Sequence, residues 1–128
     1  MRVKASITVM KLPMLQPGGF NRKIFWARTK YNKDWYSLIA DLVKGHADVY
    51  PWIGVNPLTN VSLICTRASA GTPDYDNLVS SFKTPIDGLV RAGVFKDDKP
   101  SIVIHREYKC EKVPPGKGWI RIEIEGDL

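Results

Sequence analysis

Hydrophobic and polar positions alternate or recur in distinct blocks along the chain, and the blocks predict six elements. Ser6–Met10 (SITVM) is short and β-branched and predicts a first strand. Lys11–Phe20, with Pro13, Pro17, Gly18 and Gly19, predicts a loop. From Asp34 to Lys44 the apolar residues Trp35, Leu38, Ile39, Leu42 and Val43 fall three and four apart, which stacks them on one helical face. Asp34 is a candidate N-cap for that helix and Gly45 its stop. Asn60–Thr66 (NVSLICT) predicts a strand, and Arg67–Pro73 a turn-rich segment. Asp76–Gly93 returns to helical spacing, with Leu78, Val79, Phe82, Ile86, Leu89 and Val90 near one stripe. Pro85 interrupts it. Either the helix kinks, or a second helix starts with Thr84 as cap and Pro85 as first residue. Ser101–Cys110 and Trp119–Glu125 (WIRIEIE) alternate with period two, and the VPPGKG turn between them predicts a hairpin.

The order β-α-β-α-β-β implies an α+β fold, with two main helices packed on a small mixed sheet of about four strands. A chain of 128 residues without a linker or internal repeat is read as one domain spanning 1–128. No stretch is long or apolar enough to cross a membrane, and Met1–Met10 alternates too much for a signal peptide. Cys65 and Cys110 lie far apart in strand-like runs with no metal-ligand spacing. Both are expected to be buried free thiols of a cytoplasmic protein.

Charge brings in a partner. Lysine and arginine number 19 against 13 acidic residues, giving a formal charge of +6. Such a balance favours a polyanion, because cationic side chains release counterions from phosphate. The segment 21–33 interleaves Phe25, Trp26 and Tyr31 with Arg22, Lys23, Arg28 and Lys30. Trp26 or Tyr31 could stack on unpaired bases while those four cations meet phosphates; the alternative is that the aromatics belong to the core. Lys96 and Lys99 are further phosphate candidates. His46 and His105 lack a second ligand at metal spacing, and Trp52 and Trp119 read as packing residues. No nucleotide-binding glycine loop, nucleophile elbow or zinc-protease motif occurs.

Against this basic background, Asp74, Asp76, Asn77, Asp87, Asp97 and Asp98 concentrate in one region. Asp74-Tyr75-Asp76 stands where a loop enters a helix, and Asp97-Asp98 in the loop that follows it. Oxygen ligands at such junctions suit hard cations, above all Mg²⁺, which keeps several waters and needs few carboxylates. A metal so held would reverse the local sign toward DNA and could activate water for phosphodiester hydrolysis. Lys83 follows Asp76 by seven residues, which on an unbroken helix returns to the same side. Its ammonium could offset charge developing on phosphate. Each residue alone also has a structural reading: an aspartate caps a helix start or shapes a polar turn, and a lysine solvates a helix face.

The run Asp74-Tyr75-Asp76-Asn77-Leu78, Lys83, Asp87-Gly88-Leu89, Ala92-Gly93-Val94 and Asp97-Asp98 resembles the signature of the RusA family of Holliday-junction resolvases, whose members often sit in phages. The resemblance is sharp over this motif, and the flanking order of elements also agrees. It implies a small homodimer that binds four-way junctions by structure and cuts symmetric strands with Mg²⁺ or Mn²⁺. It further implies that Asp74, Asp76 and Asp98 hold the metal, with Lys83 as catalytic helper. Asn77, Asp87 and Asp97 match motif positions that support the site, Asn77 by orienting a carboxylate or water and Asp87 as a residue that could equally be structural. The sequence departs from the pattern in one respect. The lysine of the best-known members follows the second aspartate by four residues, where this chain has Ser80, and three residues are inserted before Lys83. The competing expectations are a branched-DNA-binding protein on the same fold without catalysis, and a basic interaction domain that is not a nuclease.

Overall fold

The computed structural model describes residues 2–10, 25–45 and 56–128; of residues 25–29 and 31 it describes the backbone alone. The elements are β1 (Arg2–Met10), α1 (Phe25–Gly45), β2 (Thr59–Ser69), α2 (Tyr75–Ser80), α3 (Lys83–Arg91), β3 (Val103–Lys112) and β4 (Trp119–Asp127). The fold is α+β: a four-stranded mixed sheet with helices on one face. Among the described residues no helix is long and apolar enough to cross a membrane.

The strand order is β1-β4-β2-β3. β4 runs antiparallel to both β1 and β2, and β3 is parallel to β2. The expected β3–β4 hairpin is therefore not formed. Burial explains why. Along β4, Ile120, Ile122 and Ile124 are all buried on the helix side, so this strand belongs in the middle of the sheet. Along β3 most residues are exposed and half are charged, which suits an edge, where charge deters pairing with other chains. The VPPGKG segment accordingly steps over the end of β2. The Val113 amide bonds the Ser69 carbonyl at 3.1 Å, and a tight turn is closed by Lys117 N on Pro114 O at 3.1 Å.

α1 begins at Phe25, nine residues before the expected cap. Asp34 is thus an interior helical residue, and its carboxylate pairs with Lys30 at 3.1 Å, one turn earlier. Trp35, Ile39 and Val43 form the buried stripe of α1, with Leu38 and Leu42 at its margins. This stripe packs on α3, whose Ile86 and Leu89 are buried beside it. The approach is close because residue 88 is glycine. A Cβ there would stand 3.1 Å from Ile39 Cγ1 and 3.2 Å from Ile39 Cβ. Beneath both helices lie Ile7, Val9, Leu63, Cys65, Ile122 and Ile124 of the sheet. The opposite face of the sheet is polar, with Lys4, Thr8, Ser62, Arg121, Glu123 and Glu125 along it.

The amphipathic run after Asp76 is two helices, and the break lies at Ser81–Phe82 rather than at Thr84. Pro85 sits in the first turn of α3, where a missing N–H costs nothing, since the first amides of a helix have no internal acceptor. Thr84 does not cap; its hydroxyl bonds Asn32 Oδ1 of α1 at 3.1 Å. α3 ends at Gly93 (φ 83°) with the Gly93 amide on Val90 O and the Val94 amide on Leu89 O, the paired bonds of a left-handed C-terminal cap. Val94 is buried against the core, which locks the turn that leads to Asp97-Asp98.

Both cysteines are free, but only Cys65 is buried; Cys110 is exposed on the edge strand β3. Burial pushes the Cys65 thiol up to about 12, against a smaller opposing pull from the Arg106 charge. Cys65 thus stays protonated and shielded at neutral pH, whereas a thiolate is the reactive form. Native protein at about pH 8 is expected to release one equivalent of thiolate from an aromatic disulfide reagent, and denatured protein two; two fast equivalents in the native state would contradict this burial. A second expectation concerns the α1–α3 contact. Gly88→Ala gains up to about 1 kcal/mol of helix propensity. It must, however, displace the fully buried Ile39, and such overpacking costs about 1–3 kcal/mol. Urea unfolding should show a net loss of about 1 kcal/mol.

Candidate active site

Asp74 is the N-cap of α2. Its backbone is extended (φ −68°, ψ 169°), and Oδ1 accepts the Asn77 amide at 2.8 Å. Both Asp74 and Asp76 are exposed. Asp76 lies in the first turn of α2, and its carboxylate makes no hydrogen bond or ion pair among the described residues. Its carboxylate therefore stays hydrated and available. Asn77 works through its backbone: its amide satisfies Asp74, and its carbonyl accepts the Ser81 amide at 3.0 Å and the Ser81 hydroxyl at 2.8 Å.

Ser81 fills the break between the two helices. It is buried, and its Oγ also accepts Arg67 Nη1 from β2 at 2.6 Å. Arg67 Nε is buried without a partner among the described residues, so this guanidinium is committed to the break. The Arg67–Ser81–Asn77 chain pins the acidic turn to the sheet. The sequence pattern hid it. Arg67 reads as part of a turn until β2 is seen to continue through Ser69, and a serine without a histidine nearby signals no chemistry.

Lys83 opens α3. Because the helix is broken at Ser81–Phe82, the step of seven residues does not set Lys83 above Asp76 on one helix. Its Nζ instead stands 3.4 Å from Asp87 Oδ1 and 3.4 Å from Asp98 Oδ2. Partial burial works against the ammonium, but the Asp87 and Asp98 carboxylates outweigh it, so the Lys83 pKa is raised. Lys83 is cationic throughout the neutral range. Asp98 is half-buried and fixed on both sides. Its amide donates to Asp97 Oδ1 at 2.7 Å, and its carbonyl accepts Arg106 Nη2 from β3. Asp97 is thus the residue that shapes the loop presenting Asp98.

The strand β3 connects the two acidic segments. Arg106 and Tyr108 are two residues apart and so project from the same face of the strand. Arg106 holds the Asp98 loop, while Tyr108 makes an edge-on contact with Tyr75, the residue between Asp74 and Asp76, at 6.3 Å between ring centroids. Lys83 contacts both Asp87 and Asp98, while Asp74 and Asp76 are tied to the same strand through the Tyr75–Tyr108 ring contact. Among the described residues no three His, Cys, Asp or Glu side chains are grouped so as to hold a metal ion.

Of the expected phosphate contacts, Lys96 and Lys99 are exposed on the Asp98 loop, and Lys30 is exposed but paired with Asp34. Arg22, Lys23, His46 and Trp52 lie outside the described residues, as do the side chains of Phe25, Trp26, Arg28 and Tyr31. Trp119 is half-buried with the Arg121 guanidinium 4.7 Å above its ring, and His105 is exposed on β3.

No protein-family model matches this chain, and no curated protein does. Among solved structures it is similar to the crystal structure of the hydrogenase maturation protein HypE in complex with ATP. The TM-score is 0.42 and the identity 16%, over 100% of this chain and 30% of that one. The chain thus spans less than a third of the length of that protein.

Proposed function

We propose that the chain is a RusA-type, metal-dependent endodeoxyribonuclease that acts as a homodimer on four-way or otherwise branched DNA in recombination and repair. The observation that carries this reading is the Lys83–Asp98 contact at 3.4 Å. It joins the start of α3 to a loop 15 residues on, and unites two parts of the motif that sequence order alone keeps apart. The strip of β3 that bears Arg106 and Tyr108 adds support, since the Asp98 loop and the Asp74–Asp76 turn both rest on it.

The donor chemistry suits Mg²⁺ or Mn²⁺. Asp74 keeps one carboxylate oxygen beyond its cap bond, Asp76 is open to solvent, and Asp98 is half-buried in a fixed loop. These three would hold the ion, which when bound supplies an acidified water and neutralises charge on the phosphate. The chain's own residues do the rest. Lys83 carries a persistent positive charge beside Asp98, suited to offsetting charge that grows on the phosphoryl oxygens. Lys96 and Lys99 offer phosphate contacts on the same loop. Two-fold related cuts need two related sites, which a homodimer provides. The two free thiols fit a reducing compartment, the cytoplasm.

A second reading is favoured by one observation. The carboxylates do not stand as a ready-made group of three. A branched-DNA-binding protein without catalysis would need no such group.

A labelled four-way junction incubated with the protein, with and without Mg²⁺, separates the two. The nuclease reading expects paired nicks that require the metal. Loss of groups one shell removed from a metal costs up to about 100-fold, so Asp76→Asn, which removes charge from a direct ligand, should slow cleavage by about 100-fold or more. Junction binding should survive the change. Cleavage by Asp76→Asn at the parent rate would sink the assignment, and binding without any Mg²⁺-dependent nick would favour the second reading.

A further inference from the structure

Tyr75 sits between the two aspartates of the motif and is 63% exposed. The other large hydrophobic side chains that are exposed among the described residues, Met10, Ile104 and Leu128, are aliphatic. Tyr75 is also held. Its ring meets Tyr108 at 80° with centroids 6.3 Å apart, and Tyr108 in turn meets the fully buried Phe82 at 53° and 5.9 Å. The three rings step from the core to the surface, so the outermost is oriented from beneath by aromatic edges rather than left to rotate. The greater part of this ring is left uncovered by its own fold, which marks it as a contact surface.

We propose that Tyr75 is a stacking platform for an unpaired nucleobase of the substrate. Charge on the same strip argues for a nucleotide rather than a protein side chain. The Asp74 and Asp76 carboxylates flank the ring in the chain; beyond them Arg106, two residues from Tyr108 on the same face of β3, bonds the Asp98 carbonyl, and Lys83 of α3 pairs with the Asp98 carboxylate, so the cations of the strip stand at its Asp98 end. Unpaired nucleotides are held by this pairing of an aromatic face for the base with cations for the backbone. In linear duplex DNA the base faces are hidden in the stack. At a branch point they can be opened at small cost, so an exposed ring discriminates branched from linear DNA without touching a base edge. Every base has a π face, and the selection is therefore for structure, not sequence. This rests on the branched-DNA reading above for its substrate.

The test uses the full chain, a four-way junction with 2-aminopurine at the exchange point, and a linear duplex carrying the same base internally. Stacking on an aromatic ring quenches 2-aminopurine. The wild type should quench the junction probe and leave the duplex probe unchanged. Tyr75→Ala should abolish the quench and weaken junction binding about tenfold, with duplex binding altered less than about twofold. Tyr75→Phe should keep both properties. Because Tyr75 is exposed, the alanine variant is expected to stay folded, and a thermal melt followed by circular dichroism checks this. Unchanged quenching and affinity in Tyr75→Ala overturns the platform. So does a change in self-association alone, which would make Tyr75 a subunit contact. Magnesium-dependent nicking read on the same junction keeps the two ideas apart. Cleavage by a Tyr75→Ala variant that binds like the wild type leaves the nuclease and removes the platform. Quenching that depends on Tyr75 without any cleavage does the reverse. No binding to branched DNA removes both.

Discussion

Pro85 cannot donate a hydrogen bond to the carbonyl of Ser81, and much of the site's geometry follows from that one missing proton. An unbroken helix from Tyr75 to Arg91 would carry Lys83 on the same side as Asp76. Instead the chain breaks, α3 restarts at Lys83, and the new axis turns the lysine toward Asp87 and Asp98. A break in a buried stretch exposes backbone groups that need partners. The Ser81 hydroxyl supplies one by donating to the Asn77 carbonyl, and the Arg67 guanidinium in turn donates to that hydroxyl and fixes it. The restart leaves Lys83 in the acidic region, beside Asp87 and Asp98.

Packing makes the restart rigid. α3 is held against α1 by the Gly88–Ile39 approach, and its far end is closed by the cap at Gly93 with Val94 in the core. A helix fixed at both ends delivers Lys83 at its start and the Asp97-Asp98 loop after its stop. The loop is tied again by Arg106 of β3. An edge strand is an unusual place for structural side chains, yet β3 here has two faces with separate tasks. Its outward charges blunt the sheet edge, while Arg106 and Tyr108 on the helix side brace the acidic segments.

The element order and the core stripes were legible because periodicity is a local property. Trp35, Ile39 and Val43 announce a helix whatever the rest of the chain does, and Ile120, Ile122 and Ile124 announce a strand. Partner choice was not legible. The VPPGKG turn suits a hairpin, but whether β4 pairs with β3 or slips between β1 and β2 depends on which strand gains more from burial on the helix side, a comparison across the whole sheet. The true start of α1 was hidden for a related reason: Phe25 to Lys33 has no clean polar face, so its helix is not visible in the pattern. At the site, the acidic motif was plain. The Arg67–Ser81 brace was not, because a strand arginine and a helix-break serine have no spacing signature; only the fold brings them within 2.6 Å.

The charge arrangement explains how a chain of net charge +6 tolerates clustered aspartates. Exposed ion pairs are individually weak, about 0–1 kcal/mol, so Lys83 does not hold the fold together by pairing with Asp87 and Asp98. What it does is neutralise. Two carboxylates that share one ammonium repel an approaching anion far less than two bare ones, and with Lys96 and Lys99 set against Asp97 the three lysines and three aspartates of this region balance. Asp74 and Asp76 have no such internal cation. Both lie at the start of α2, Asp74 as its cap and Asp76 in its first turn, so the helix end offsets each in part, and neither has an ion-pair partner among the described residues. Asp74 spends one carboxylate oxygen on its cap bond, whereas the Asp76 carboxylate has no partner among the described residues.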